Sequence, residues 1–118
     1  MRYVNQLALS ATNDGSSTFN GTVYDAQQLL TASFHAYFSD AAAAGTLKIQ
    51  ASNDVAQNGT SASFPSHWVD IPSASASVTA GSSVLIKLTD MSYRWVRAVF
   101  VASGGAGSIT VNMMANST

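Results

Sequence analysis

No cysteine and no glutamate occur in the 118 residues, and only two prolines and two histidines do. Each gap excludes something. Without cysteine there is no disulfide framework and no thiolate metal site, and the redox compartment leaves no mark. His35 and His67 are too far apart in sequence to suggest a zinc ligand set. Charged residues make up 9% of the chain, against roughly 25% in an ordinary soluble domain. All six acidic residues are aspartate, a turn former, and five basic residues leave a net charge of −1. Such a chain has no basic stripe for nucleic acid or an anionic membrane. It also lacks the net charge that keeps a monomer from associating. No apolar run is long enough to span a bilayer, and no apolar signal core follows Met1, so synthesis in the cytoplasm is expected.

What is present is a hydrophobic content of 47%, enough to offset the entropy of ordering a Ser/Ala/Thr/Gly-rich chain. The length suits one domain, residues 1–118. Its most informative stretch is Asp90–Ala102, rich in aromatic and β-branched residues and free of Gly and Pro. This predicts a strand. Val96, Ala98, Phe100 and Ala102 point to one face, with Tyr93, Trp95, Arg97, Val99 and Val101 on the other. Both faces are largely apolar. A central strand covered on both sides is expected, with Arg97 in need of a partner.

Other strands are read from alternation. Tyr3–Ser10 places Tyr3, Leu7 and Leu9 together. Thr18–Tyr24 carries Asn20-Gly21 between β-prone triplets, a hairpin signal. Leu29–Phe38 alternates most cleanly, with Leu30, Ala32, Phe34, Ala36 and Phe38 inward and Thr31, Ser33, His35 and Tyr37 outward. Residues 40–45 are expected to close a hairpin into Thr46–Ala51. A long polar loop, Ser52–Ser66, precedes a strand His67–Ile71 stopped by Pro72. Ser75–Thr79 and Ser83–Thr89 follow, the latter with Val84, Ile86 and Leu88 inward and Leu85 and Lys87 outward. Ser103–Gly107 is read as a hairpin into Ser108–Met114, and Asn116-Ser117-Thr118 as a frayed end. Eight or nine short strands without a helix of three turns predict an all-β fold, a single antiparallel jelly-roll-like β-sandwich. The expected core is Leu30, Phe34, Leu47, Ile49, Val84, Ile86, Val96, Phe100, Ile109 and Val111.

Chemistry finds little purchase. No Gly-x-Ser-x-Gly elbow accompanies the histidines, so no catalytic residues are assigned and no enzyme is expected. The aspartates sit mostly at predicted turns, where they end strands rather than pair for glycoside chemistry. Asn13-Asp14 and Asn53-Asp54 hint weakly at calcium, but no Asp-x-Asp-x-Asp run exists, and no metal or cofactor is assigned. Contact residues are the better candidates. His35, Tyr37 and Leu85 lie opposite the buried faces of their strands, while Phe64 and Trp68 flank the long loop as possible sugar-stacking aromatics.

The succession Gly45–Asp54, Trp68-Val-Asp-Ile-Pro72, Tyr93-Arg-Trp-Val-Arg97 and Gly107-Ser-Ile-Thr-Val111 resembles small β-sandwich structural proteins encoded among bacteriophage structural genes. A weaker likeness is to galactose-binding-like sandwiches. The resemblance covers about residues 29–115 and carries over no catalytic residues. It implies a virion component, made in the host cytoplasm. The expected role is a small capsid decoration or cement protein acting by burial between neighbours. Its partners would be copies of itself, a trimer by analogy with shell decorations, and a major capsid or other virion protein. The alternative is a carbohydrate- or receptor-binding module of a tail or fibre.

Overall fold

The computed structural model describes residues 2–13, 16–38, 44–55, 65–79, 81–105 and 107–117. Nine strands form within them: β1 (Arg2–Asn13), β2 (Thr18–Asn20), β3 (Tyr24–Asp25), β4 (Leu29–Phe38), β5 (Ala44–Ser52), β6 (Val69–Thr79), β7 (Ser83–Leu88), β8 (Trp95–Gly104) and β9 (Gly107–Ser117). They make two packed antiparallel sheets, a β-sandwich. One runs β1-β9-β4-β7; the other runs β2-β8-β5-β6, with β3 also pairing β8.

The core lies between the sheets and follows from alternation. Phe34, Leu47, Ile49, Val96, Phe100, Ile109 and Val111 are fully buried, with Ile86 close behind. Val84 is half-buried against them. Leu30 departs from expectation and is 46% exposed. A register shift separates Leu29, opposite Ser117, from Thr31, opposite Asn116, so Leu30 is an extra residue squeezed outward. Leu7 behaves likewise. A bulge puts Ala8 between the Leu7 and Leu9 pairings, so Ala8 and Leu9 are buried while Leu7 is exposed. The side chain of Tyr3 lies outside the described residues.

The three expected local hairpins do not form: in each case the two flanking strands pair elsewhere rather than with each other. Asn20-Gly21 does not turn β2 back on β3; both pair with β8, with residues 21–23 bulged between them. Gly21 is required for close approach: a Cβ there would stand 2.5 Å from Ala8 O and 2.9 Å from Ala98 O. β4 and β5 lie in different sheets, and residues 39–43 between them are outside the described set. β8 and β9 also lie in different sheets, joined through Gly105 at φ 67°. The consecutive pair that does form a hairpin is β5–β6, closed by the long loop.

Other boundaries move for identifiable reasons. Pro72 does not end a strand; β6 continues through it as an edge strand, where a missing N–H interrupts no ladder. The Asp70 position falls within that strand rather than at a turn. β8 starts at Trp95 rather than Asp90, because the Arg94 backbone is occupied elsewhere: its N–H bonds Asn53 Oδ1 and its carbonyl accepts from Ala26. The C-terminal end is not frayed at Asn116, which pairs with both Tyr3 and Thr31.

Candidate functional site

The open face of the β1-β9-β4-β7 sheet gathers three of the five contact candidates. Pairing register sets them side by side. One row across the four strands reads Leu7, Asn112, His35, Leu85. The rows flanking it read Asn5, Met114, Ser33, Lys87 and Ser10, Thr110, Tyr37, Ser83. Among these twelve positions Lys87 is the sole Lys, Arg or Asp. Leu85 is 65% exposed, Leu7 52% and Met114 48%. The His35 and Tyr37 rings, two residues apart on β4, meet at a centroid distance of 5.5 Å. Between the strands lies a shallow depression of about 710 Å³ lined by Asn5, Ser33, His35, Leu85, Asn112 and Met114. Exposed apolar groups are clustered here among short polar side chains with little charge, the composition of a candidate contact surface.

Sequence reasoning placed His35, Tyr37 and Leu85 on this face but not Leu7 or Met114. Met114 was legible, since it falls in the outward set of its strand. Leu7 was not: only the bulge at Ala8 turns it outward.

Trp68 lies on the other sheet. The Arg97 guanidinium stacks on its ring at 4.3 Å, and its indole N–H donates to Pro65 O at 3.0 Å. Arg97 finds the partner its burial demands in Gln50, directly across the ladder: Nε and Nη2 donate to Gln50 Oε1 at 3.0 and 2.8 Å. Gln50 Nε2 donates in turn to Asp70 Oδ1 at 2.9 Å, and Lys48 Nζ lies 3.3 Å from Asp70 Oδ2. The Gln50 amide, then Lys48, holds the Asp70 carboxyl below its ordinary range; burial lowers the Arg97 pKa. Polar side chains thus tie three strands into one row over the outer face of the sheet. On that face Val99 is also buried, so β8 is covered partly by its own chain.

The ends of the long loop are fastened beside this row. Asp54 accepts from the Ser66 and His67 amides at 2.8 and 3.0 Å, which hold its carboxyl below the ordinary range. His67 Nδ1 lies 3.2 Å from the same carboxylate. Trp95 Nε1 donates to Asp54 O at 3.2 Å. The side-chain oxygens of the Asn53-Asp54 pair are therefore engaged with protein donors rather than gathered for a cation. Asp14 lies outside the described residues, as does Phe64. A cleft of about 450 Å³ opens here, with Asn53, Asp54, His67, Asp70, Pro72 and Tyr93 in its wall.

No protein-family model matches the sequence, and no curated protein sequence does. Solved structures do match the fold. The PBSX exported protein XepA superposes with a TM-score of 0.73 over 98% of this chain, at 17% identity. The chain spans 37% of that protein's length. The SPBc2 prophage-derived protein YomS matches with a TM-score of 0.51 at 14% identity, covering 98% of this chain and 95% of that one. The empty capsid of Triatoma virus matches with a TM-score of 0.51 at 11% identity, covering 98% and 87%. At these identities the likeness is one of fold: a β-sandwich of a kind found in prophage-encoded and viral capsid proteins.

Proposed function

We propose that this chain is a structural module of a bacteriophage particle that works by burying the open face of its β1-β9-β4-β7 sheet against neighbouring protein. The observation that carries the reading is the juxtaposition of Leu7, His35, Leu85 and Met114 on a face almost without charge. The fold likeness to the prophage proteins and the capsid protein supports the setting. A shell or tail component needs complementary patches and no reaction centre, and the role proposed is not catalytic. Capsid decoration is the form of it we favour, with the particle as location and a major capsid or other virion protein as partner.

The test is rebinding to particles. Particles produced without this chain are mixed with purified protein and sedimented. Wild-type protein is expected to pellet with them, and a Leu7→Asp/Met114→Asp variant to stay in the supernatant with an unchanged circular dichroism spectrum. Equal pelleting of the two would remove this face from the proposal.

A second reading, a carbohydrate- or receptor-binding module, has the 450 Å³ cleft in its favour, since Tyr93 stands there beside the polar groups of Asn53, Asp54 and Asp70. Trp68 helps it less, because Arg97 already takes one ring face and Pro65 the indole N–H. Glycan binding lost on Tyr93→Ala, with particle rebinding intact, would favour this reading instead.

A further inference from the structure

A sheet edge offers unpaired N–H and C=O groups to any passing strand, and proteins usually guard it. Three of the edges here are guarded. β6 carries Pro72, then Ser73 at φ 63°, in a bulge that sets residues 71–74 against Ile49 alone. The edge made by β2 and β3 is short and broken at residues 21–23, whose Gly21 and Thr22 amides turn inward to Ala98 O and Ala8 O. β1 is bulged at Ala8, and the same segment covers it: Thr22 bonds Ala8 O and the Tyr24 hydroxyl donates to Leu7 O at 2.8 Å.

β7 is different. Its six residues contain no Gly or Pro, and they pair with β4 from Ser83 to Leu88 without a register shift. Its far side has no partner strand among the described residues. Leu85, at its middle, is the second most exposed large hydrophobic side chain on the described strands, after Val69 on β6.

We infer that β7 is the self-association edge: it pairs antiparallel with β7 of a second copy about a twofold axis at Leu85, joining two four-stranded sheets into one of eight. A second copy fits because a twofold contact needs only one self-complementary edge. The register proposed is the one that sets the exposed leucine against its own copy. Centred on Leu85, the pairing sets Leu85 against Leu85, Val84 against Ile86 and Ser83 against Lys87, each pair on one face of the sheet. Centred on Lys87, it would set two like charges directly opposite, which is unfavourable. The joined sheet would present two copies of the Leu7, His35 and Met114 patch side by side. The inference deepens the assembly role proposed above and rests on it for its purpose only. It replaces the trimer, expected by analogy, with a dimer.

The test uses the free protein, which contains no cysteine. Leu85→Cys places one thiol per chain at the axis, where opposing Cα atoms are about 4.5–5.5 Å apart, within disulfide reach. Under oxygen and copper phenanthroline, two thiols give up two protons and two electrons to the oxidant and close the bond. Leu85→Cys is expected to cross-link at least tenfold faster than Lys87→Cys, whose thiols would sit about 13 Å apart along the strands. It is also expected to outrun Val69→Cys, an exposed position on the other sheet. Sedimentation is expected to show a wild-type dimer and a Leu85→Lys monomer with the same circular dichroism spectrum. A wild-type monomer at high concentration, a trimer, or Leu85→Cys no faster than Val69→Cys would overturn the pairing. A monomer that still rebinds particles would defeat this inference alone; a dimer that does not rebind would defeat the particle role alone.

Discussion

Gly45 lies against the ring of Phe100 so closely that a Cβ built on it would stand 2.2 Å from Phe100 Cζ and 2.6 Å from Val101 O. The approach lets β5 and β8 run side by side with Phe100 pointing into the core between the sheets. Gly45→Ala should therefore destabilise the domain by about 1–3 kcal/mol, the range for overpacking a core. Adding Phe100→Leu should recover part of that loss, because the ring contact goes while the Val101 contact stays. Urea midpoints of the two single variants and the double variant check it, and strict additivity would speak against the contact.

Phe100 itself is completely buried and meets Phe38 edge-on at 5.4 Å. Phe100→Ala removes the ring from both sheets' shared core and is expected to cost about 3–5 kcal/mol. That is a large part of the stability of an ordinary domain. Loss of the cooperative thermal transition at 37 °C, or a strongly lowered midpoint, is the readout.

Arg97 and Trp68 supply a spectroscopic test of the polar row on the other sheet. Lysine cannot stack its ammonium as the planar guanidinium does, nor present a fork to Gln50. Arg97→Lys should expose the Trp68 ring, shift its fluorescence to longer wavelength and cost about 0.5–2 kcal/mol. A Trp95→Phe background isolates the Trp68 signal. Unchanged emission would mean the stack does not persist in solution.

Among the described residues three aspartates sit below their ordinary range: Asp25 through Arg94 and the Gln27 amide, Asp54 through the Ser66 and His67 amides, and Asp70 through Gln50 and Lys48. Their folded pKa values are lower than their unfolded ones. The stability they contribute is thus present above the unfolded value of about 3.8 and is lost as pH falls through the depressed values. Their contribution should hold steady from pH 7 to 5 and fall below about pH 4. Asp54→Asn should flatten that fall in a thermal-melt series.

Alternation made most of the core readable. Phe34, Leu47, Ile49, Ile109 and Val111 could be assigned because a two-residue period leaves a strand few other ways to bury them. Leu30 and Leu7 broke that rule at bulges, where one inserted residue flips the period and no local signal announces it. Connectivity was less readable. Asn20-Gly21 and Ser103–Gly107 have the composition of hairpin turns, yet each passes the chain from one pairing to another, a choice made by tertiary contacts such as Gly21 against Ala8 and Ala98. The candidate contact face was half readable. His35, Tyr37 and Leu85 show in outward positions, but their meeting with Leu7 and Met114 depends on sheet order, which β9 sets by lying between β1 and β4.

The most direct measurement of the proposed role is the copy number of this chain in particles purified by density gradient, by quantitative mass spectrometry against the other structural proteins. The expected result is a fixed, whole-number ratio to one of them that persists through repeated purification. A Leu7→Asp/Met114→Asp chain, folded and produced at the same level, should be depleted from the same particles. Fewer than one copy per particle for the wild-type chain would contradict a structural role in the virion.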